Sequence, residues 1–200
     1  MQFISIMTID TVIEIVGAII GLIYLYLEYK ANFWLWPVGI LMSLFYLVIF
    51  YHGKFYADAA VNLYYIVANF YGLALWGKHR IKHEQVIADE LPIAHTPRKY
   101  VLPLSIAFAG LWLVIFLVLH RYTDSPVPVG DAFTTALSIV AKWMLAKKYL
   151  EQWLLWIAVD AVSTILYVWK GLYPTAVLYT IYTVVAVLGY FRWRKDLQSA

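Results

Sequence analysis

Two charged side chains stand in apolar stretches where neither can be left to lipid. Asp160 lies about midway along Trp-Leu-Leu-Trp-Ile-Ala-Val-Asp and the apolar residues that follow, and Lys142 lies in the preceding stretch. A carboxylate facing hydrocarbon costs a few kcal/mol or more, so Asp160 has to turn towards protein. Trp153, Trp156, Asp160, Ser163 and Tyr167 follow 3, 4, 3, 4 spacing. On a helix this gathers two indoles, a carboxylate, a hydroxyl and a phenol on one face. Ring faces stack on flat solutes and attract cations, and a carboxylate accepts hydrogen bonds, so the face suits a flat, heteroaromatic, cationic solute. The same residues also read as an aromatic packing stripe with Asp160 paired to a neighbouring helix and Trp153 as an interface anchor. Lys142 is one turn beyond Ser138, in register with Thr135 and Asp131. It needs a counter-charge, for which Asp160 is the best candidate, either as a structural ion pair or within a substrate site.

A second polar stripe, Asp58, Asn62, Tyr65, Asn69, Gly72 and Trp76, steps by 4, 3, 4, 3, 4, and Thr175, Tyr179, Tyr182, Ala186, Gly189 and Trp193 repeat those steps. Asn62 and Asn69 give directional hydrogen bonds that suit a sugar, an amide or an aminopyrimidine, and equally well clamp one helix to another. The candidate substrate-binding set is therefore Asn62, Tyr65, Asn69, Lys142, Trp153, Trp156, Asp160, Tyr167 and Tyr182. Gly72 and Gly189 read as places of close helix contact. Glu14 and Asp131 open related helices, where a carboxylate is stabilised by the helix N-terminus, with gating contacts as the functional alternative. Pro37, near a helix start, is tolerated there and can mark a hinge.

Bond-making chemistry finds no support. The chain has no cysteine, and His52, His79, His83, His95 and His120 sit in loops or at the ends of apolar stretches without acidic partners at metal-ligand spacing. No phosphate-cradling glycine loop, Gly-x-Ser-x-Gly, His-Glu-x-x-His or paired catalytic carboxylates occur. No enzyme, metal or cofactor is expected, and ATP-driven pumping within the chain is not expected either.

The elements that position these residues are seven apolar segments of 19 to 23 residues: 10–29, 33–51, 55–77, 100–120, 128–147, 151–169 and 173–193. At about 1.5 Å rise per residue each is long enough to cross a hydrocarbon core of about 30 Å. With 64% hydrophobic residues and a mean hydropathy of +0.73, the 200 residues leave no room for a separate soluble domain. The expectation is an all-α integral membrane protein with a retained first helix and no cleavable signal peptide.

Shifted by 117 positions without a gap, Glu14 falls on Asp131, Lys30 on Lys147, Trp36 on Trp153, Phe50 on Tyr167, Tyr56 on Tyr173, Tyr65 on Tyr182, Gly72 on Gly189, Trp76 on Trp193 and Lys78 on Lys195. Duplication then gives a first three-helix repeat at 10–77, a loop and unmatched linker helix at 78–127 with the helix at 100–120, a second repeat at 128–193 and a tail at 194–200. The linker restores direction, so the repeats run parallel, an arrangement in which transporters hold substrate near the midplane. The shared residues build a frame, and the mismatches, Ser43 against Asp160 and Asn62 against Tyr179, break its symmetry.

Charge sets the orientation. One side carries Lys54, Arg121 and Lys170, and the other carries eleven bases, Lys30, Lys78, Arg80, Lys82, Arg98, Lys99, Lys147, Lys148, Arg192, Arg194 and Lys195. The richer side is cytoplasmic, placing the N-terminus outside and the C-terminus inside a plasma (inner) membrane. The basic stretch at 78–99 is interrupted by Glu84, Asp89 and Glu90 and lacks interleaved aromatics, so it reads as a loop meeting anionic lipid rather than nucleic acid.

The segments Asp131-Ala-Phe-Thr-Thr, Lys147-Lys-Tyr-Leu-Glu-Gln-Trp-Leu-Leu-Trp-Ile and Lys170-Gly-Leu-Tyr-Pro-Thr-Ala-Val-Leu-Tyr closely resemble the PnuC family of vitamin transporters. Trp34-Leu-Trp-Pro-Val-Gly-Ile, Tyr56-Ala-Asp-Ala-Ala-Val-Asn-Leu-Tyr-Tyr and Tyr71-Gly before Trp76 extend the resemblance over nearly the whole chain. It implies a 3+1+3 fold like that of SWEET sugar transporters and facilitated diffusion of nicotinamide riboside or a related vitamin, trapped inside by a cytosolic kinase. The implied contacts are Trp153, Trp156, Asp160, Lys142 and Asn62. Two positions depart from the nicotinamide riboside pattern, Asp160 where Asn is typical and Lys142 where an uncharged residue is typical. Thiamine, with a flat ring and a quaternised nitrogen, therefore stands beside nicotinamide riboside. The expected partners are the vitamin, membrane lipids and the kinase, with a homo-oligomer left open and no nucleic acid. An ion-coupled transporter with Asp160 as relay is the alternative, followed by a seven-helix receptor using Lys142 as a Schiff base.

Overall fold

A bilayer offers no water to an unpaired peptide group, so a chain of apolar segments this long is driven into helices that satisfy their own backbone. The computed structural model describes residues 16–17, 19–52, 56–82 and 91–199, and it is helical throughout. The helices are α1 (Ile19–Tyr29), α2 (Leu35–His52), α3 (Tyr56–Lys82), α4 (Arg98–Tyr122), α5 (Pro128–Ala146), α6 (Gln152–Trp169) and α7 (Tyr173–Gln198). No strand occurs among the described residues, where a single parallel bridge joins Ala94 to Tyr149. The start of the first segment with Glu14, Lys54 and the loop residues His83, Glu84, Asp89 and Glu90 lie outside the described residues.

The helices follow the apolar segments, with two informative extensions. α3 and α7 run on to Lys82 and Gln198. Lys, Arg and Gln are good helix formers and nothing breaks the helix at the membrane edge, so it continues past the apolar stretch. By length and composition α4, α6, α7 and the Ala59–Lys78 part of α3 can each cross a membrane. α5 carries Asp131 and Lys142 within its length, and its surroundings explain how they are tolerated. It packs against both α4 and α6 and buries Ala132, Ala136, Ser138, Val140, Ala141, Lys142, Met144, Leu145 and Ala146. Sheathed in protein, it has polar residues that lipid would reject. α4 is the opposite case: it buries no residue at all.

The packing forms two units, residues 1–70 and 71–200. In the first, α1 ends with Ala31 at φ 50°, and the Asn32 N–H closes the turn on the Leu27 carbonyl at 2.9 Å. In the second, α5 ends with Lys148 at φ 52°, and the Tyr149 N–H closes on the Met144 carbonyl at 3.1 Å. These are helix-ending turns with a left-handed residue, a place usually held by glycine. Ala31 and Lys148 are the non-glycine residues with positive φ among the described residues, and they are 117 positions apart. α6 ends in the same way at Gly171, φ 74°, with the Leu172 N–H on the Tyr167 carbonyl at 2.8 Å.

Both ends of the α4–α7 unit are tied. At the α5–α6 turn, the Ala94 N–H donates to the Lys148 carbonyl at 3.1 Å and the Ala94 carbonyl accepts from the Leu150 N–H at 2.9 Å. Glu151 accepts from the Thr96 N–H, the Thr96 hydroxyl and His95 Nδ1, each at 2.7 Å. Burial pushes the Glu151 carboxyl up, but these hydrogen bonds outweigh it and hold the group below its ordinary 4.5. At the other end, Asp131 pairs with Lys170 Nζ at 2.9 Å and accepts from Ser125 Oγ at 2.7 Å.

Candidate substrate site

α6 carries the densest set of polar groups buried in an apolar setting. Its buried residues are Gln152, Trp153, Val159, Asp160 and Ser163. The helix is held in place by the Glu151 hydrogen bonds before its first turn and by the Gly171 turn after its last, so the face has little freedom to rotate. Trp153 is fully enclosed. Its ring meets Trp193 of α7 edge-on, centroids 5.5 Å apart and planes at 90°. A Cβ on Gly189 would come within 2.7 Å of that ring. The expected close contact at Gly189 is therefore between a helix backbone and an indole, and it fixes α6 against α7. An edge-to-face pair of this kind contributes about 1 kcal/mol beyond its burial.

Trp156 is one turn further along, half-buried, and its Nε1 has no hydrogen-bond partner among the described residues. It offers a donor as well as a ring face. Asp160 and Lys142 are both buried, on the packed helices α6 and α5. Ser138 lies one turn before Lys142, its hydroxyl donating to the Thr135 carbonyl at 2.9 Å. Further along, Tyr167 and Tyr182 are brought together through a residue outside the candidate set, Tyr179. Its ring centroid is 5.0 Å from Tyr167 and 5.5 Å from Tyr182. The three phenols form a ladder from the last turn of α6 onto α7.

In the first unit, Asn69 is buried and donates from Nδ2 to Ser43 Oγ at 3.3 Å. A Cβ on Gly39 would lie 2.8 Å from Asn69 Oδ1. Its amide thus fills the space opposite a glycine and clamps α3 to α2. Asn62 and Tyr65 are half-buried on the same helix, and the Tyr65 ring lies 5.7 Å from that of Tyr64.

Gln152 was not singled out from the sequence, although it immediately precedes Trp153 and is fully buried. Its signal was a mismatch in the 117-residue register, where it faces Leu35. No group of His, Asp or Glu able to hold a metal ion occurs among the described residues. A hollow of about 230 Å³ between α4 and α5, lined by Ala109, Trp112, Leu113, Phe116 and Val129, offers no polar group to orient a solute.

Residues 11–195 match the model of a family described as Nicotinamide mononucleotide transporter. The chain is 28% identical over 194 residues to the nicotinamide riboside transporter PnuC of Neisseria mucosa, covering 93% of this chain and 73% of that protein. It is 25% identical over 205 residues to the PnuC of Escherichia coli K12, covering 90% and 84%. A riboflavin/roseoflavin transporter, RibM of Streptomyces davaonensis, is 28% identical over 182 residues, covering 90% and 83%. Among solved structures, the crystal structure of the vitamin B3 transporter PnuC superposes with a TM-score of 0.74 at 25% identity, covering 99% of this chain and 87% of that one.

Proposed function

Because the chain belongs to the nicotinamide mononucleotide transporter family, we propose that it carries a flat heteroaromatic vitamin, nicotinamide riboside or thiamine, across the plasma membrane by facilitated diffusion. It is a multi-pass membrane protein and a vitamin transporter, not an enzyme. The observation that carries the substrate class is the α6 face, where Trp156, Asp160 and Ser163 combine an indole with a free donor, a carboxylate and a hydroxyl. In this reading Trp156 stacks on the ring and Asp160 takes its positive charge or a sugar hydroxyl, with Lys142 balancing the carboxylate between loads. Trp153 acts as the wall behind them, and the ladder through Tyr167, Tyr179 and Tyr182 lines the approach. Asn69 holds α2 and α3 together.

The wider scheme is a 3+1+3 chain of two parallel repeats with α4 as linker, N-terminus outside and C-terminus inside. The matched left-handed turns at Ala31 and Lys148 support the duplication, and the eleven bases against three support the orientation. A uniporter only equilibrates its solute, so net uptake needs a cytosolic kinase that phosphorylates the vitamin and removes it from the equilibrium. Reconstitution tests this directly. Proteoliposomes without ATP or an ion gradient should equilibrate labelled nicotinamide riboside or thiamine, and riboflavin belongs in the panel because a relative carries it. Uptake that disappears when proton and sodium gradients are removed would replace facilitated diffusion with ion coupling.

A further inference from the structure

We infer that Gln152 is a substrate-reading residue, the inner foothold of the α6 face, where its carboxamide pairs with the donor-and-acceptor edge of a heteroaromatic ring. The inference rests on the transport reading above and adds a residue and a chemical requirement to it.

Three observations carry it. Gln152 is 0% exposed, yet neither Nε2 nor Oε1 has a hydrogen-bond partner among the described residues. A primary amide has two donors and an acceptor with two lone pairs, and burying it unmade is among the costlier things a fold can do. Second, the position does not need polarity for packing. In the 117-residue register its counterpart is Leu35, also 0% exposed and also followed by a fully enclosed tryptophan, Trp36. Leucine suffices in that place in the first unit, so the amide in the second calls for a reason other than packing. Third, Gln152, Trp156, Asp160 and Ser163 step by 4, 4 and 3 along α6. That spacing keeps the amide on the face of the proposed site, one turn from the indole. Gln152 and Asp160 are separated by about 12 Å of helix rise, close to the length of a nucleoside-sized solute.

The chemistry that fits is narrow. Nε2–H donates and Oε1 accepts side by side, so the complement is a ring edge with an acceptor beside a donor. A ring carboxamide, an aminopyrimidine and a cyclic imide all present one. Gln152 lies at the start of α6, at the end of the unit that holds Lys147, Lys148, Arg98 and Lys99, which the charge pattern places inside. It would therefore take hold of the ring on the way to the cytoplasm.

The test is the full-length protein in nanodiscs, titrated by tryptophan fluorescence with nicotinamide riboside, thiamine and riboflavin, alongside proteoliposome uptake and thermal melting. Gln152→Met keeps the volume and removes both hydrogen bonds. It should weaken the preferred vitamin about tenfold or more while the melting temperature stays or rises, because an unsatisfied amide has been replaced by an apolar chain. Gln152→Leu, the residue found at the counterpart position, carries the same test if Gln152→Met fails to fold. Wild-type affinity and uptake in the variant, with raised stability, would overturn the inference and leave the transport reading intact. A wild-type protein that binds none of the three would overturn the transport reading and the inference together.

Discussion

Under the proposed duplication the packing of α2 on α3 corresponds to that of α6 on α7, and the residues at the two contacts differ. In the 117-residue register Gly39 corresponds to Trp156, Ser43 to Asp160 and Asn69 to Ala186. In the first pair the large polar residue is on α3, the glycine opposite makes room for it, and the serine takes its hydrogen bond. That contact engages the amide Nδ2, while Oδ1 fills the space opposite Gly39 without a hydrogen-bond partner among the described residues. At the corresponding positions of the second pair an indole, Trp156, is on α6, an alanine, Ala186, is on α7, and a carboxylate, Asp160, stands in place of the serine. Trp156 Nε1 has no hydrogen-bond partner among the described residues, and this is the donor that the proposed site would offer a solute.

The largest test of this contrast is Asp160→Asn against Ser43→Ala. The first removes the charge assigned to the substrate and should lower vitamin affinity about a hundredfold, the cost of losing one member of a buried charged contact. The second should leave uptake within about twofold, since it only shortens a clamp. Equal effects in transport assays would dissolve the asymmetry. Next in size is Gly189→Val, which drives a side chain into the Trp153 ring at a distance no real Cβ tolerates. It should destabilise the protein by about 1–3 kcal/mol, read as a fall in melting temperature. Gly39→Ala meets the end of a movable amide and should cost less.

Asn69→Leu removes the α2–α3 hydrogen bond and should cost about 0.6 kcal/mol, the average for such bonds between membrane helices. A loss of vitamin binding larger than the loss of stability would return Asn69 to the substrate site. The smallest effect concerns Glu151, which fixes the start of α6 and whose pKa is lowered in the folded protein. Its contribution is therefore fully present above the ordinary value of 4.5 and is lost as pH falls through the lower folded value. The melting advantage of wild type over Glu151→Gln should accordingly be steady near neutrality and shrink in acid.

Much of the scaffold could be read in the sequence because its causes are local. An apolar run of sufficient length has one outcome in a bilayer, and Trp36 with Trp153 and Gly72 with Gly189 marked the register of the repeat. What escaped depended on neighbours distant in the chain. Asn69 was balanced between ligand and clamp until Gly39 and Ser43 were seen beside it. Gln152 carries no mark of its own in the sequence, because one sequence does not reveal that its environment is closed to water. Tyr179 was on the α7 stripe but gained meaning only when its ring was found between Tyr167 and Tyr182. The helical extension to Gln198 was missed because hydropathy marks the edge of the bilayer, not the end of the hydrogen-bonded backbone.

α4 meets α5 through Phe108 and Trp112, 5.6 and 6.0 Å from Phe133, and through Tyr100, 5.7 Å from Trp143, yet it buries none of its own residues. Its sequence therefore stores very little information. Length, greasiness and three rings specify it, so other hydrophobic helices carrying those rings should be accepted in its place. In α5, where nine side chains are enclosed, the same exchange would erase the protein. Two adjoining helices of one membrane protein thus differ less in what they look like than in how many alternative spellings each would accept.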